Sequence, residues 1–282
     1  MNERANFLRL LQSPDLANIS LAMELAKGNP AFQEDLNPYL QTAAFIFQIG
    51  QERLKAHHIE FINQPLVNLE HHDILDLPDS LASLPTVQEL DLTGNWFKHI
   101  PQVVFMIIRL KKLWIMNNYL TNLPAQIQHL ESLQTLDLRM NQLTQLPAEI
   151  GKLPQLRALL VNENHLESLP AEIGNLEKLE GLYLSDNALT EVPPSIGKLK
   201  NLRFLCLDNN KITELPEEIG QLTHLEELRI QNNQLQAHSI PKSIEQLSNL
   251  KAIYYSGNPT DWLDIHLPNC SVSYHWNDNP CP

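Results

Sequence analysis

Leucines recur with a fixed period through the middle of the chain. Between residues 133 and 233 one pattern repeats: a leucine, a second leucine three residues later, a third after two more and an asparagine after another three. A fixed period of this size predicts a solenoid whose repeats each pack only on their neighbours. The regular repeats begin at Leu110, Leu133, Leu156, Leu179, Leu202 and Leu225, which are 23 residues apart.

The spacing within each repeat predicts how the chain folds there. The alternation around the second and third leucines is typical of a short strand with one face turned inward. Stacked strands would form a parallel sheet on the concave side, and the proline that follows would open a convex segment. Tight backbone turns are expected at Gly151, Gly174, Gly197 and Gly220. Backbone groups in the turning loops would be satisfied by the side-chain amides of Asn95, Asn118, Asn141, Asn164, Asn187, Asn210, Asn233 and Asn258.

The repeat resembles the 23-residue type of the leucine-rich repeat family, whose pattern is LxxLxLxxNxLxxLPxxIGxLxx. Plant intracellular Ras-group repeat proteins, Ras-pathway scaffolds and many bacterial repeat proteins share this pattern. The resemblance covers about residues 64–258 and implies an α/β fold, a leucine-rich repeat solenoid with a curved parallel sheet on its concave face. For function it implies a signalling scaffold, with any enzymatic activity supplied by a partner.

Three segments are expected: a helical N-terminal cap over residues 1–63, repeats over 64–258 and a short C-terminal cap over 259–282. Helices are predicted over residues 16–26, ended by the Lys27-Gly28-Asn29-Pro30 run, and over about 38–55. They would cover the open edge of the first strand; an independent docking module is the alternative. The last leucine layer would be covered by the large aromatic residues Trp262, Tyr274 and Trp276.

Two repeats depart from the pattern. The first is degenerate, with Gln64 and His72 where the pattern has leucine and asparagine, as expected of a terminal repeat. The repeat that begins at Leu225 places Pro241 two residues late. This insertion is expected to lengthen one loop without breaking the stack.

The exposed side of the predicted sheet carries the candidate binding site. Residues midway between the second and third leucines lie about 4.8 Å from their equivalents on neighbouring strands, so they form a row. An apolar, aromatic centre surrounded by charge is typical of a protein-binding patch. Single exposed apolar residues are ordinary, but clustering on adjacent repeats favours a patch. The predicted partner-binding residues are Trp114, Met116, Arg139, Met140, Leu160, Tyr183, Phe204, Cys206 and Arg229.

Two further surfaces are unusual. The repeat that begins at Val87 carries Phe105, Met106 and Ile108 on its convex segment, where other repeats have glycine or polar residues. Packing against the N-terminal helices is the preferred interpretation, and a dimer contact is the alternative. An aromatic pair on one rim is predicted for Trp96 and Tyr119, which follow the asparagines of adjacent repeats.

The sequence offers little catalytic or metal chemistry. Cys206 is predicted to be a free thiol, because no repeat position clearly supplies a base beside it. Pairing of Cys270 with Cys281 would indicate an oxidising compartment, and is left open. Zinc-ligand residue types occur without CxxC spacing at His266, Cys270, His275 and Cys281, and no metal or cofactor is expected. Phosphate-binding-loop, nucleophile-elbow, zinc-protease and dinucleotide-binding motifs do not occur, so we expect no catalytic residue and no enzyme activity.

Charge and hydropathy restrict the partners and the compartment. The 20 Lys+Arg and 33 Asp+Glu residues give a formal net charge of −13, which would repel a phosphate backbone or an anionic membrane. No run approaches the ~20 apolar residues of a membrane span, and residues 1–11 lack the apolar segment of a secretory signal. We therefore expect a monomeric cytoplasmic protein that binds a protein or peptide partner, without nucleic acid or membrane. The alternative is a secreted or surface recognition protein that acts on another cell.

Overall fold

The computed structural model of the protein describes residues 3–259 and 271–273. Four α-helices come first: α1 (Glu3–Leu11), α2 (Leu16–Ala26), α3 (Pro30–Phe47) and α4 (Ala56–Ile62). Parallel strands follow, each paired with the next along the chain in one ten-stranded open sheet. They are β1 (Leu66–Asn68), β2 (Glu89–Asp91), β3 (Lys112–Trp114), β4 (Thr135–Asp137), β5 (Ala158–Leu160), β6 (Gly181–Tyr183), β7 (Phe204–Cys206), β8 (Glu227–Arg229), β9 (Ala252–Tyr254) and β10 (Ser271–Ser273).

Short 3₁₀-helices alternate with these strands and form the opposite, convex side. Each of the regular ones begins directly after a proline, as in Ala148–Lys152 after Pro147 and Ala171–Asn175 after Pro170. In strands β1 to β9 the middle residue is a fully buried aliphatic side chain, as at Leu113, Leu136 and Leu159. The predicted α/β leucine-rich repeat solenoid is therefore confirmed, with its core between the sheet and the convex helices.

The repeat asparagines form a hydrogen-bonded ladder that joins successive turns. The Asn141 amide nitrogen donates to the carbonyls of Ile115, Leu138 and Arg139 at 3.0–3.1 Å. Its Oδ1 accepts from the backbone N–H of Leu120 at 2.9 Å. One side chain thus satisfies buried backbone groups of two repeats, which is the role the sequence predicted. Equivalent bonds occur at Asn95, Asn118, Asn164, Asn187, Asn210, Asn233 and Asn258.

The residue before each ladder asparagine has a left-handed backbone. Its φ lies at 54° in Met140, 55° in Glu163 and 58° in Asp186. Asparagine or glycine adopts this conformation at lower cost, and they occupy the same position in other repeats, as at Asn209 and Gly94. The left-handed residue turns the chain inward, so the ladder amide reaches the preceding repeat.

The convex glycines have a different role from the one predicted. The expected tight turn is wrong for Gly151, Gly174, Gly197 and Gly220, because a left-handed φ occurs at Gly94 and Gly257 and at none of these four. A Cβ on Gly174 would lie 2.4 Å from the backbone oxygen of Ser195 in the next repeat. Glycine is therefore needed where consecutive convex helices approach each other closely.

The N-terminal cap holds more helix than the sequence predicted. The expected helix over residues 38–55 is wrong, since α3 begins at Pro30 and ends at Phe47, with Pro38 inside it. Asn29 caps α3 by accepting a hydrogen bond from the N–H of Ala31, and Pro30 occupies the first helical position, so this run starts a helix as well as ending one. α1 was not predicted, whereas α2 matches the prediction over 16–26.

The cap packs on the first repeat: the Thr42 hydroxyl in α3 lies 2.7 Å from that of Ser80. The boundaries at residues 63 and 258 stay a prediction. The predicted aromatic cover by Trp262, Tyr274 and Trp276 lies outside the described residues.

The two-residue insertion forms an added turn. The segment Ala237–Ser239 is a short 3₁₀-helix, and the Ser239 carbonyl accepts a hydrogen bond from the N–H of Leu215 at 3.0 Å. Beyond it the register continues, with Glu227 opposite Ala252 and Arg229 opposite Tyr254. The loop lengthens and the stack of strands is preserved.

Replacing a ladder asparagine should destabilise the solenoid. We expect Asn141→Ala to lower the free energy of unfolding by about 3 kcal/mol, because buried backbone groups of two repeats lose their partners. Urea denaturation followed by circular dichroism measures this. The control is Asn175→Ala, an exposed asparagine on a convex helix, which should change stability by about 0.5 kcal/mol or less. Equal effects of the two substitutions would contradict the structural role of the ladder.

A methyl group on a convex glycine should also be costly. We expect Gly174→Ala to lower the free energy of unfolding by about 2 kcal/mol, since its Cβ would clash with a backbone oxygen of the next repeat. Gly28→Ala is the matched control, because a Cβ there meets nothing within 4 Å. Thermal denaturation of both variants tests the close approach, and an unchanged melting temperature for Gly174→Ala would exclude it.

Candidate partner-binding face

The strand register places the predicted central residues in one row across the sheet. Trp114 lies opposite Asp91 on one side and Asp137 on the other. Leu160 lies between Asp137 and Tyr183. The row continues through Cys206, Arg229 and Tyr254. We call these residues, from Asp91 to Tyr254, the central row.

The apolar members of the central row face away from the core. Trp114, Leu160 and Tyr183 are half-buried, whereas the neighbouring Leu113 and Leu159 are fully buried. Phe204, beside the row, is also half-buried, as is Met116, and Met140 is 41% exposed. These six predicted site residues therefore lie on the concave face and have no core position.

The apolar centre has two parts. Leu160, Tyr183 and Phe204 lie on the adjacent strands β5, β6 and β7. Trp114 is separated from them by Asp137, which is buried and receives the guanidinium of Arg139, with Nη2 to Oδ2 at 2.7 Å. The hydrogen bond to Asp137 raises the pKa of Arg139. Arg139, predicted as part of the charged surround, thus forms an ion pair in the middle of the patch.

Tyr183 is held close to the sheet. A Cβ on Gly181 would lie 2.6 Å from the Tyr183 ring, so the absence of a side chain at 181 lets the ring rest against the strand. Burial, with a smaller contribution from the Glu227 charge, raises the pKa of the Tyr183 hydroxyl. The tyrosine is therefore neutral at physiological pH and offers an aromatic edge with a hydrogen-bonding group.

Cations lie beside three rings on this face. Lys112 Nζ is 5.6 Å from the Trp114 ring centroid, and the Arg203 guanidinium is 5.3 Å from that of Phe204. The Arg229 guanidinium is 4.7 Å from the ring of Tyr254. Near them, Glu226 accepts hydrogen bonds from Arg203 and Lys251, which lower its pKa to about 2.

Arg229 was predicted as part of the exposed patch, but its side chain is only 7% exposed. Its Nε donates to Asp208 at 3.0 Å, and its Nη1 lies 3.6 Å from Glu227. Burial raises the pKa of Asp208 despite this ion pair. The interactions of Arg229 within the chain leave the binding face to its apolar neighbours.

Cys206 differs from its prediction. It is 2% exposed and disulfide-bonded, so the expected free thiol is wrong. The repeat pattern, on which the free thiol was predicted, contains no information about a disulfide at this position. The chain has two other cysteines, Cys270 and Cys281, and both lie outside the described residues. Whether these two cysteines pair with each other stays open.

Of the predictions for the other two unusual surfaces, one is confirmed and one is wrong. Trp96 and Tyr119 stack with ring centroids 5.6 Å apart, which confirms the aromatic pair on the rim. Phe105 is buried, but Met106 is 56% and Ile108 65% exposed, so the expected packing of these two against the N-terminal helices is wrong. The dimer contact through them stays a prediction.

Sequence reasoning missed a polar row beside the apolar centre. Asn162, Ser185 and Asp208 each lie two residues after the central row and on adjacent repeats. All three are buried, although Val161 and Leu207 beside them already fill the core side. The sequence shows small polar or acidic residues at this repeat position in three successive repeats. The burial of their side chains depends on how the repeats stack, which the sequence pattern does not show.

Within the described residues, no group of three or more histidine, cysteine or acidic side chains is arranged to hold a metal ion. None of the helices described is long and apolar enough to cross a membrane. The candidate zinc residues His266, Cys270, His275 and Cys281 fall outside the described part of the chain.

The open parallel sheet, the convex 3₁₀-helices and the asparagine ladder define a leucine-rich repeat solenoid. A family model for the leucine-rich repeat region matches residues 105–185 and 149–262, more than half of the 282 residues. The chain belongs to the leucine-rich repeat family. No curated protein sequence matches it significantly.

Solved structures are similar over most of the chain. Internalin C2 of Listeria monocytogenes is 19% identical with a TM-score of 0.65, over 78% of this chain and 92% of its own. A TDR receptor is 24% identical with a TM-score of 0.65, over 76% of this chain and 39% of its own. The plant peptide hormone receptor RGFR1, in complex with RGF2, is 32% identical with a TM-score of 0.58, over 65% of this chain. The chain spans only 30% of the RGFR1 chain.

The state of Cys206 can be measured directly. We expect the native full-length chain to keep Cys206 unmodified by iodoacetamide, because the sulfur is buried and disulfide-bonded. After reduction under denaturing conditions it should alkylate fully, and peptide mapping without reductant should identify the cysteine joined to it. A native chain that carries three free thiols would contradict the disulfide.

Proposed function

We propose that this protein is a noncatalytic recognition module that binds a protein or peptide partner on its concave face. The observation that carries the proposal is the apolar group formed by Leu160, Tyr183 and Phe204. These side chains are half-buried on three adjacent strands and point away from the core. Aromatic and aliphatic groups in such a cluster are typical of the centre of a binding surface.

Trp114 would extend this contact region. It lies two strands from Leu160, with the Asp137–Arg139 ion pair between them. Polar groups flanking apolar contacts add specificity and exclude alternative partners. Met116 and Met140 lie beside the same region and can adapt their shape to a partner. The proposed surface therefore has one apolar group on strands β5–β7 and a second around Trp114.

The comparisons support a protein or peptide ligand. The leucine-rich repeat fold provides an extended concave surface, which is how repeat proteins bind their partners. RGFR1 is named as a peptide hormone receptor and was solved in complex with RGF2. By this similarity we propose a peptide, or an extended segment of a protein, as the ligand of this chain.

The proposal also covers the excluded ligands, the oligomeric state, the cellular role and the location of the protein. The net charge of −13 opposes binding to nucleic acid and to anionic membranes. We propose that the protein acts as a monomer and that its recognition role is that of a signalling scaffold. From the resemblance to intracellular repeat proteins, we also propose that the protein is located in the cytoplasm.

One observation favours a second candidate. Cys206 is disulfide-bonded, and disulfides persist mainly in oxidising compartments. A secreted or surface recognition protein that acts on another cell fits this bond better than a cytoplasmic scaffold does. Both candidates use the same concave face, so they differ in compartment and in the source of the ligand. Fractionation of the source cells, with the thiol state of Cys206 measured in each fraction, separates them.

Removing either aromatic anchor should weaken partner binding. We expect Trp114→Ala and Tyr183→Ala each to weaken binding by about 2 kcal/mol, because hot-spot aromatic residues contribute this much. A partner is first identified by affinity capture with the wild-type chain, and its dissociation constant is then measured by calorimetry. The matched control is the Trp96→Ala/Tyr119→Ala variant, which removes the stacked pair on the rim. A partner that loses affinity only with the rim variant would place recognition elsewhere.

A further inference from the structure

The concave face contains buried polar groups without partners. The Asn162 Oδ1 and Ser185 Oγ atoms are shielded from solvent and form no hydrogen bond. The two residues are 7% and 5% exposed. Leaving such a group unpaired costs about 1–3 kcal/mol. The fold itself does not require this cost, because an aliphatic side chain at either position would leave nothing unpaired.

The two groups lie next to each other on the side of the sheet that faces the hollow. The Glu163 N–H donates to the Ser185 carbonyl at 3.0 Å, so Asn162 and Ser185 occupy equivalent positions on adjacent repeats. Val161 and Leu184 before them are fully buried in the core. Side chains alternate along a strand, so Asn162 and Ser185 project to the concave side with Leu160 and Tyr183. The polar pair thus borders the apolar group of the proposed binding face.

The electrostatic surroundings of this pair are negative. Glu163 and Asp186 are exposed and directly follow Asn162 and Ser185. Two arginines on this face form ion pairs with other carboxylates, Arg139 with Asp137 and Arg229 with Asp208, although the charge of Arg139 also interacts with Glu163. Among the described residues no cation lies within ion-pairing distance of Glu163 or Asp186. Two carboxylates without an ion pair and an unpaired carbonyl oxygen therefore lie on adjacent repeats, and the one side-chain donor to them that the structure describes is the Asn209 amide, which donates to Asp186 at 2.8 Å.

The backbone at both carboxylates makes them poor choices for the fold alone. Glu163 and Asp186 have φ of 55° and 58°, whereas Asn117, Asn209 and Asn232 occupy the same position in other repeats. A left-handed glutamate is less favourable than asparagine or glycine. Desolvation in the hollow also raises the pKa of Asp186, partly offset by the hydrogen bond from Asn209. Acidic side chains here thus add cost to the folded state.

We propose that the bound partner is a peptide segment that places a lysine or arginine side chain between Glu163 and Asp186, and that the Asn162 and Ser185 side chains turn toward it and accept its hydrogen bonds. A neighbouring apolar side chain of the same segment packs on Leu160 and Tyr183. This inference rests on the proposed function and specifies the chemistry of its ligand. It accounts together for the unpaired acceptors, the two carboxylates that form no ion pair and the adjacent apolar group.

The probe is a library of random linear peptides displayed on phage and selected on the immobilised, non-reduced full-length chain. We expect selected peptides to carry lysine or arginine one or two positions from an aromatic or aliphatic residue. Their affinity, measured by fluorescence anisotropy, should decrease as ionic strength rises. Free spermidine, a cation without the apolar side chain, should compete weakly.

Two variants test the cationic contact. Glu163→Asn/Asp186→Asn and, separately, Asn162→Leu should each weaken the selected peptides about tenfold, as expected for loss of hydrogen bonds to a charged group. Both variants should be at least as stable as the wild type, because they remove left-handed carboxylates or an unpaired acceptor. The control Glu167→Gln/Glu191→Gln removes the same charge from exposed positions outside the strands and should leave affinity unchanged.

The outcomes separate this inference from the proposed function. Peptides that require Tyr183 but lack basic residues, with affinity unaffected by Glu163→Asn/Asp186→Asn, would overturn the cationic contact and leave the concave face as the binding site. Both proposals would be overturned if substitution of Tyr183, of Trp114 and of the acidic pair each left the affinity of the selected peptides unchanged. A library that yields no binder to the wild-type chain would also count against both. Competition by spermidine as strong as by the peptides would indicate a small polycation as the ligand.

Discussion

The hydrogen bonds of the repeat asparagines determine how one turn of the solenoid joins the next. Strands of three residues supply few backbone bonds, and the turns at their ends bury carbonyl and N–H groups. Asn164 reaches the Leu138 carbonyl and the Leu143 N–H of the preceding repeat, so the spacing between repeats is tied to these bonds. The insertion before Pro241 illustrates the constraint. Asn258 still bonds to Ile230 and Leu235, because the added residues fall after the segment that the amide contacts.

Because leucine layers and asparagine bonds account for the fold, the outward side chains of the strands are not needed to form the core. At one repeat position of the central row the chain carries Trp114, Asp137, Leu160 and Tyr183 in succession, while the buried leucines between them hardly change. Such variation on an invariant frame lets neighbouring repeats contribute different chemistry to one surface. The approach of convex helices at Gly174 limits change on the opposite side. The concave face is therefore where this chain has the most freedom to specify a ligand.

Periodicity predicted the solenoid, the asparagine bonds and the central row, since each follows from contacts between neighbouring repeats that recur along the chain. It failed where a contact is not repeated. The disulfide of Cys206, the ion pair of Arg229 with Asp208 and the start of α3 at Pro30 are local events that no period encodes. The glycine error has another cause: a missing side chain permits either a left-handed turn or a close approach, and sequence alone does not distinguish them. Binding by the predicted site residues stays a prediction.

A solenoid can bear unfavourable groups that a small globular core would not tolerate. Its stability is close to a sum over repeats and their interfaces, so the cost of Asn162 and Ser185 is confined to two units within a longer stack. The surrounding repeats keep the full asparagine bonding, for example at Asn141 and Asn210, which fixes the backbone that carries these two side chains. A backbone that is already fixed limits the entropy lost when a ligand binds. In the proposed complex, polar groups that weaken the folded chain therefore strengthen binding.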